Sequence, residues 1–424
     1  ESASNGLIRA KVSHEPKPSC GNGPCRRSSL REFMLRRVAR RGDNLGMQFS
    51  FPTLFSCFCL CAVSATAQEE SDNSGDFGIS FDIVAAESSS DALLPETGAF
   101  RLRSMQLHFQ NERDWGEFRV TADLADGGYG SEFVLREANV WLMNLPARSA
   151  LRVGRFMPTF GAWNDILPTG ALWPSSDGVR RAYWGGHLVA DGLEWHQLRT
   201  TPSGRLHLSF GLAAQTHGQD VDLPGNGYRL DYPMLDGFPQ GEQRETAFAH
   251  VDLLQKFGSD ELSLGASASF SPRAISRLDP TIGERIERDL PHILAGVDAT
   301  WKSYDSSGQG HLLTGEIWID DREFLTDTIT EGDMSIGAWA AWNWRFTPES
   351  TFGVLASFWE LPDQLAVSSA SSHSVWLGTR LTHRQELRFF VELQDPGNGG
   401  ESGSFYGFQW SFSFGKARAA SAWF

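Results

Sequence analysis

His250 and Asp252 stand two residues apart, with His207 in an earlier stretch of similar composition. An imidazole beside a carboxylate is the pair a general base needs, because the carboxylate orients the ring and stabilises its cation. No nucleophile accompanies them in a G-x-S-x-G turn. The chain also offers no phosphate-cradling or dinucleotide glycine motif and no His or Cys cluster at metal-ligand spacing, so no cofactor, metal centre or hydrolytic chemistry is expected. The charges that remain fall at even spacings inside short segments: Glu117, Arg119 and Asp123; Arg205 and His207; Asp298 and Lys302; Arg388 and Glu392. Glu316, Asn343, Arg345 and Arg380 belong to similar segments. Groups of both signs on shared faces act electrostatically, attracting, repelling and orienting ions or polar solutes.

A spacing of two is the signature of a strand, whose side chains alternate between faces. Segment 404–414 is the clearest case: Tyr406, Phe408, Trp410, Phe412 and Phe414 share one parity, and Gly407, Gln409, Ser411 and Ser413 the other. Segment 260–270 sets Leu262, Leu264, Ala266, Ala268 and Phe270 against Ser263, Gly265, Ser267 and Ser269. Segment 292–302 alternates likewise except for Leu294, and 334–346 except for Trp339. Segments 98–110, 132–144 and 190–199 alternate poorly. The remaining candidates are 76–84, 115–124, 149–156, 204–215, 245–257, 310–320, 351–360, 374–382 and 386–394.

The connectors carry the topological argument. Those after even-numbered strands are mostly short and turn-like, as at 111–114, 145–148, 200–203, 258–259, 347–350 and 383–385. Those after odd-numbered strands are mostly long: 85–97, 157–189, 216–244, 271–291, 321–333 and 361–373. Short turns on one rim and long loops on the other predict an all-β fold, a transmembrane antiparallel β-barrel of about sixteen strands with periplasmic turns and extracellular loops. Its apolar face meets outer-membrane lipid and lipopolysaccharide. Its charged parity must then face water, since Arg or Lys at the bilayer midplane costs ~2–4 kcal/mol. The pore-lining candidates are Arg119, Arg205, His207, His250, Asp252, Asp298, Lys302, Glu316, Arg345, Arg380, Arg388 and Glu392.

Composition agrees. The 43 Gly, 15 Trp and 29 Phe describe a chain rich in loops and rings. A mean hydropathy of -0.30 suits strands that interleave apolar and polar residues. A net charge of -15 lacks the basic footprint that nucleic acid requires. The first residue is Glu1, and residues 1–67 read as upstream read-through followed by a signal peptide. Arg36, Arg37, Arg40 and Arg41 precede an apolar run at 49–63, and Ala65-Thr66-Ala67 ends it as a cleavage site. All five cysteines fall before that site. The barrel is then 68–414, with a tail at 415–424.

The run Leu135-Arg136-Glu137-Ala138-Asn139-Val140-Trp141-Leu142, a turn containing Pro146, and the run from Leu151 to Gly161 resemble the fourth and fifth strands of the phosphate-selective porins of the O and P type. The resemblance implies a sixteen-stranded porin, a homotrimer, with the loop after the fifth strand folded into the pore. It implies no phosphate selectivity here. Beyond the signal the only lysines are Lys256, Lys302 and Lys416, and Met157 stands where that motif usually has Lys. The same logic makes 157–189 the candidate constriction, with Asp165, Asp177, Arg180 and Arg181 as its charged residues. The expected function is passive diffusion of small hydrophilic solutes or ions. The alternative is a closed barrel acting as receptor or adhesin through its loops.

Overall fold

The computed structural model describes residues 76–88, 100–126, 131–164, 178–184, 187–219, 243–278, 285–326, 329–360, 369–395 and 402–415. The signal segment, its cleavage site and the tail 416–424 lie outside the described residues. Sixteen strands run in order: β1 (Asp76–Ser88), β2 (Phe100–Arg113), β3 (Gly116–Asp126), β4 (Ser131–Leu145), β5 (Ser149–Phe156), β6 (His187–Thr201), β7 (Gly204–Gln219), β8 (Gln243–Phe257), β9 (Asp260–Leu278), β10 (Arg285–Tyr304), β11 (Gly310–Thr326), β12 (Ile329–Arg345), β13 (Ser350–Glu360), β14 (Ser369–Thr382), β15 (Gln385–Asp395) and β16 (Gly403–Gly415). Each pairs antiparallel with its sequence neighbours, and β1 pairs with β16 to close the barrel. Closure leaves no unpaired edge, which is the condition for strands in lipid.

Alternation decides which face meets what. On β10, Ile293, Val297 and Trp301 are exposed on the outer face, while His292, Asp298 and Thr300 are buried on the inner one. Aromatic rings concentrate toward the short-turn rim. Trp342 and Trp344 stack on His311 with centroids 5.8 and 6.1 Å away, and Phe352 meets Trp342 edge-on at 6.1 Å. The turn between β10 and β11 is shaped by Asp305, whose carboxylate accepts from Ser307 Oγ at 2.6 Å, Ser307 N at 2.9 Å and Gln309 N at 3.0 Å. Those donors, the Ser307 hydroxyl foremost, hold the Asp305 carboxyl below the usual carboxylate range.

The interruptions of alternation have physical causes. Leu294 and Trp339 face inward and are buried in an apolar cluster inside the lumen. On β2 and β4 the register slips by one residue, at Arg103 and Arg136, so the apolar parity changes partway along each strand. Two connectors expected to be long are mostly strand. The β9–β10 ladder runs on to Leu278 and Arg285, and the β11–β12 ladder to Thr326 and Ile329, leaving only 279–284 and 327–328 between them. A transmembrane strand needs only ~9–11 residues. The 20 residues of β10 therefore carry the ladder beyond the apolar band, where the hydropathy pattern stops but backbone pairing does not.

Candidate functional site

The site is assembled by the chain that leaves β5 and turns into the lumen. Its departure is fixed by Arg152, which donates to Met157 O at 2.9 Å and is paired with Glu194 on the neighbouring strand. Glu194 also accepts from Thr159 N at 3.0 Å. The Arg152 guanidinium lies over the rings of Phe156 at 4.4 Å and Trp141 at 4.8 Å. Asn164 clamps the base: Nδ2 donates to Pro158 O at 2.9 Å and Leu188 O at 3.0 Å, and Oδ1 accepts from Leu188 N at 2.8 Å.

The loop crosses to the far wall and is bonded there. Gly161 N donates to Ser267 Oγ, Ala162 N to Glu316 Oε1 and Trp163 Nε1 to Thr314 Oγ1, each at 2.8 Å. Gly161 sits at φ 66°, and a Cβ there would lie 2.8 Å from Glu316 Oε1 and 3.0 Å from the Trp318 ring, so the close approach needs glycine. Glu316 Oε2 accepts from Trp318 Nε1 at 2.8 Å and Trp339 Nε1 at 2.9 Å, and Arg180 Nε stands 3.6 Å from it. One carboxylate, 2% exposed, thus serves the loop, two wall tryptophans and an arginine. Burial of this carboxylate is offset by three hydrogen bonds and the arginine beside it.

A short helix, α1 (Gly178–Trp184), follows. Gly178 rests on the Trp359 ring, and Val179 and Tyr183 fill the space over Gly337. Tyr183 O accepts from Arg322 Nη2 at 3.1 Å, and Arg322 is itself paired with Asp320. Burial, then the negative charge of Asp320, push the Tyr183 phenol up, so it stays neutral. Phe160 stacks on Trp318 at 5.0 Å, and Trp184 meets Trp318 edge-on at 4.8 Å. Such pairs are worth ~0.5–1.5 kcal/mol each beyond area burial.

Beneath the loop, toward the short-turn rim, lies a cavity of about 840 Å³. Thr159, Gly161, Ala162 and Trp163 roof it, and Arg119, Arg205, His207, His250, Asp252, Asp298 and Lys302 line it. Its histidines form a chain: Glu194 holds His196 Nε2 at 3.0 Å, and His196 Nδ1 is 3.0 Å from His207 Nε2 with the rings stacked. His250 Nδ1 is 2.7 Å from Ser267 Oγ. The other lining candidates sit elsewhere. Glu316 is sealed under the loop; Arg345 lies over the Tyr304 ring at 5.6 Å; Arg388 pairs with Glu386 at 2.8 Å; Glu392 accepts from Gln394 at 2.7 Å. Arg380 is the ladder partner of Glu386 on the same inner face. Of the loop charges, Arg180 turns into the wall, while Asp165, Asp177 and the side chain of Arg181 lie outside the described residues. Among the described residues no group of three or more His, Cys, Asp or Glu could hold a metal ion.

Sequence reasoning missed Arg152, Glu194 and His196, the residues that fix the loop exit. Arg152 was within reach, because it lies in the Leu151–Gly161 run that carries the family resemblance. Glu194 and His196 belong to β6, whose first four residues are buried alike and hide the alternation.

The architecture matches solved structures closely in topology and weakly in sequence. The trimer form of OmpT, an outer membrane protein of Vibrio cholerae, aligns with a TM-score of 0.51 and 9% identity over 81% of this chain and 100% of its own. The anion-selective porin from Comamonas acidovorans gives 0.52 and 11% over 81% and 100%. OprB of Pseudomonas putida gives 0.51 and 10% over 80% and 94%. The fold is that of an outer-membrane barrel. No protein-family model matches the sequence of this barrel, and no curated protein matches it either.

Proposed function

We propose that this barrel is a diffusion channel of the Gram-negative outer membrane, passing small hydrophilic solutes and ions down their gradients without chemistry or cofactor. The observation that carries the reading is the loop bonded across the lumen over a cavity of about 840 Å³ lined by charges of both signs. At about sixteen strands a barrel is wide enough for an aqueous channel, and an inserted loop is what narrows it. The chain is delivered, in this reading, through a signal cleaved after Ala67, and its outer face sits in lipid and lipopolysaccharide. A homotrimer is proposed on the family resemblance and on the trimeric form of the Vibrio OmpT neighbour. The O and P type resemblance is kept for the β4–β5 region alone, without phosphate selectivity.

Planar-bilayer recording tests the reading. Purified protein is expected to give discrete conductance steps. Arg180→Glu with Arg181→Glu, which sets a second carboxylate against Glu316, is expected to shift the reversal potential in a salt gradient; unchanged selectivity would show that the loop does not constrict the pore. A second reading, a closed barrel acting through its loops, draws on the buried aromatic packing of Phe160, Trp163 and Trp184 inside the lumen. Liposome swelling with sugars of graded size separates the two, since a plugged barrel gives none.

A further inference from the structure

Several charges at the short-turn rim of the lumen are answered within the wall. Arg119 pairs with Glu117 at 2.7 Å, Lys256 with Glu261 at 2.6 Å and Arg388 with Glu386 at 2.8 Å. Arg148 and Arg205 are not answered in this way. Both are exposed and line the cavity, and neither makes an ion pair with a described residue. They flank one hydroxyl, because Arg148 Nη1 donates to Thr200 Oγ1 at 3.4 Å and Thr200 is the ladder partner of Arg205. Like charges set side by side repel, and an anion from solution relieves them.

The backbone is bent to hold one of the two in place. Ala147 and Arg148 sit at φ 61° and 57°, in a turn where Ser149 Oγ donates to Pro146 O at 2.6 Å. Residues with a Cβ held in this left-handed region cost ~1–3 kcal/mol each and cluster where a site uses the strain. Glycine would sit at position 148 more cheaply but would bring no guanidinium. Lys302 and Arg380, each two residues from the short-turn end of its strand, add positive charge at that depth, and Glu112 is an exposed acid on the inner parity of β2.

Deeper in the lumen the carboxylates are withdrawn into the wall. Asp82 accepts from Gln409 Nε2 at 3.0 Å, Asp123 from Arg136 at 2.7 Å, and Glu316 from the loop and two indoles, none of the three more than 2% exposed. A chain with a net charge of -15 thus turns two uncompensated arginines to the water at one mouth, with the inserted loop beyond them.

We infer that the pore is electrically one-sided: anions gather at the short-turn mouth through Arg148 and Arg205, and ion current passes more readily in one direction than in the other. The inference rests on the channel reading and adds a direction to it. When the long-loop bath is positive, anions leave the charged mouth and pass the loop while cations arrive from the far end, so ions accumulate at the narrowing and current is high. The opposite voltage depletes it. Exposed charges act over about 8 Å at physiological ionic strength and about 3 Å in 1 M salt, so the asymmetry fades in concentrated salt.

Single channels in planar bilayers test this, with every protein added to the same chamber. In about 0.1 M KCl the parent is expected to pass at least about 1.5-fold more current at one sign of voltage than at the other, and the ratio should approach one in about 1 M KCl. Arg148→Gly with Arg205→Gln should bring the ratio close to one in dilute salt; the glycine also relieves the left-handed backbone, so the barrel should fold as the parent does. Arg148→Glu with Arg205→Glu should invert the favoured sign, whereas Arg180→Glu with Arg181→Glu, in the loop, should keep it. A parent channel with equal currents at both signs in dilute salt, or a ratio that the mouth variants leave unchanged, overturns the inference. Conductance steps without asymmetry remove this inference and keep the channel; no steps at all remove both.

Discussion

Glu316 shows how much one side chain can determine in a lumen. Sequence places it on the inner parity of β11 and nothing more; its worth comes from three hydrogen-bond donors and one arginine that converge on it from the loop and two strands. Glu316→Ala strands the indole donors of Trp318 and Trp339, the Ala162 amide and the Arg180 charge together. Breaking a buried ion pair from one side costs ~3–5 kcal/mol. The urea midpoint of refolded protein should fall accordingly, and single-channel records should become noisier as the loop loses its anchor. Glu316→Gln keeps an acceptor for Ala162 and is expected to lose less than half as much. At Gly161, where φ is 66° and Glu316 lies against the missing Cβ, even Gly161→Ala should reproduce part of the Glu316→Ala channel noise while the barrel still forms.

At the scale of elements, the strands were legible because lipid imposes a strict rule on one parity and water on the other. All sixteen candidate segments overlap a strand. What the pattern could not show were the outer ends of β9 to β12, where backbone pairing continues past the alternation of apolar and polar residues. It was equally blind to the slipped registers at Arg103 and Arg136. The partners of the loop were also illegible, because Gly161 meets Ser267 and Ala162 meets Glu316 across the barrel, through a contact that no local spacing encodes. The parity rule itself is testable. Val297, on the outer face of β10, replaced by Arg should cost ~2–4 kcal/mol in lipid vesicles, whereas Leu254→Arg, on the cavity wall, should cost under ~1 kcal/mol and alter selectivity instead. The Asp305 turn adds a pH signature. Its carboxyl is held below the unfolded value, so its support is present above the unfolded pKa and lost as pH falls through the folded one. Asp305→Asn should therefore flatten the acid limb of a urea-stability profile at pH values below the ordinary carboxylate range.

For the molecule as a whole, the inner wall divides into two regimes. On the β9–β13 side aromatic rings and the anchored loop make a dry pack; toward the short-turn rim the lining is charged and roofed by the same loop. Variants of the anchored loop should therefore change single-channel conductance, while charge reversals in the lining, as at Arg205, should shift the reversal potential in a salt gradient.

The ladder from Gly78–Gly415 to Ser88–Phe405 joins the first strand to the last. Until β16 has been synthesised, β1 is paired only on its β2 side, and a nascent chain stopped anywhere earlier would present two raw margins to the bilayer. Insertion waits on the final segment, and a stop codon before Gly403 should leave material for periplasmic proteases rather than a smaller channel.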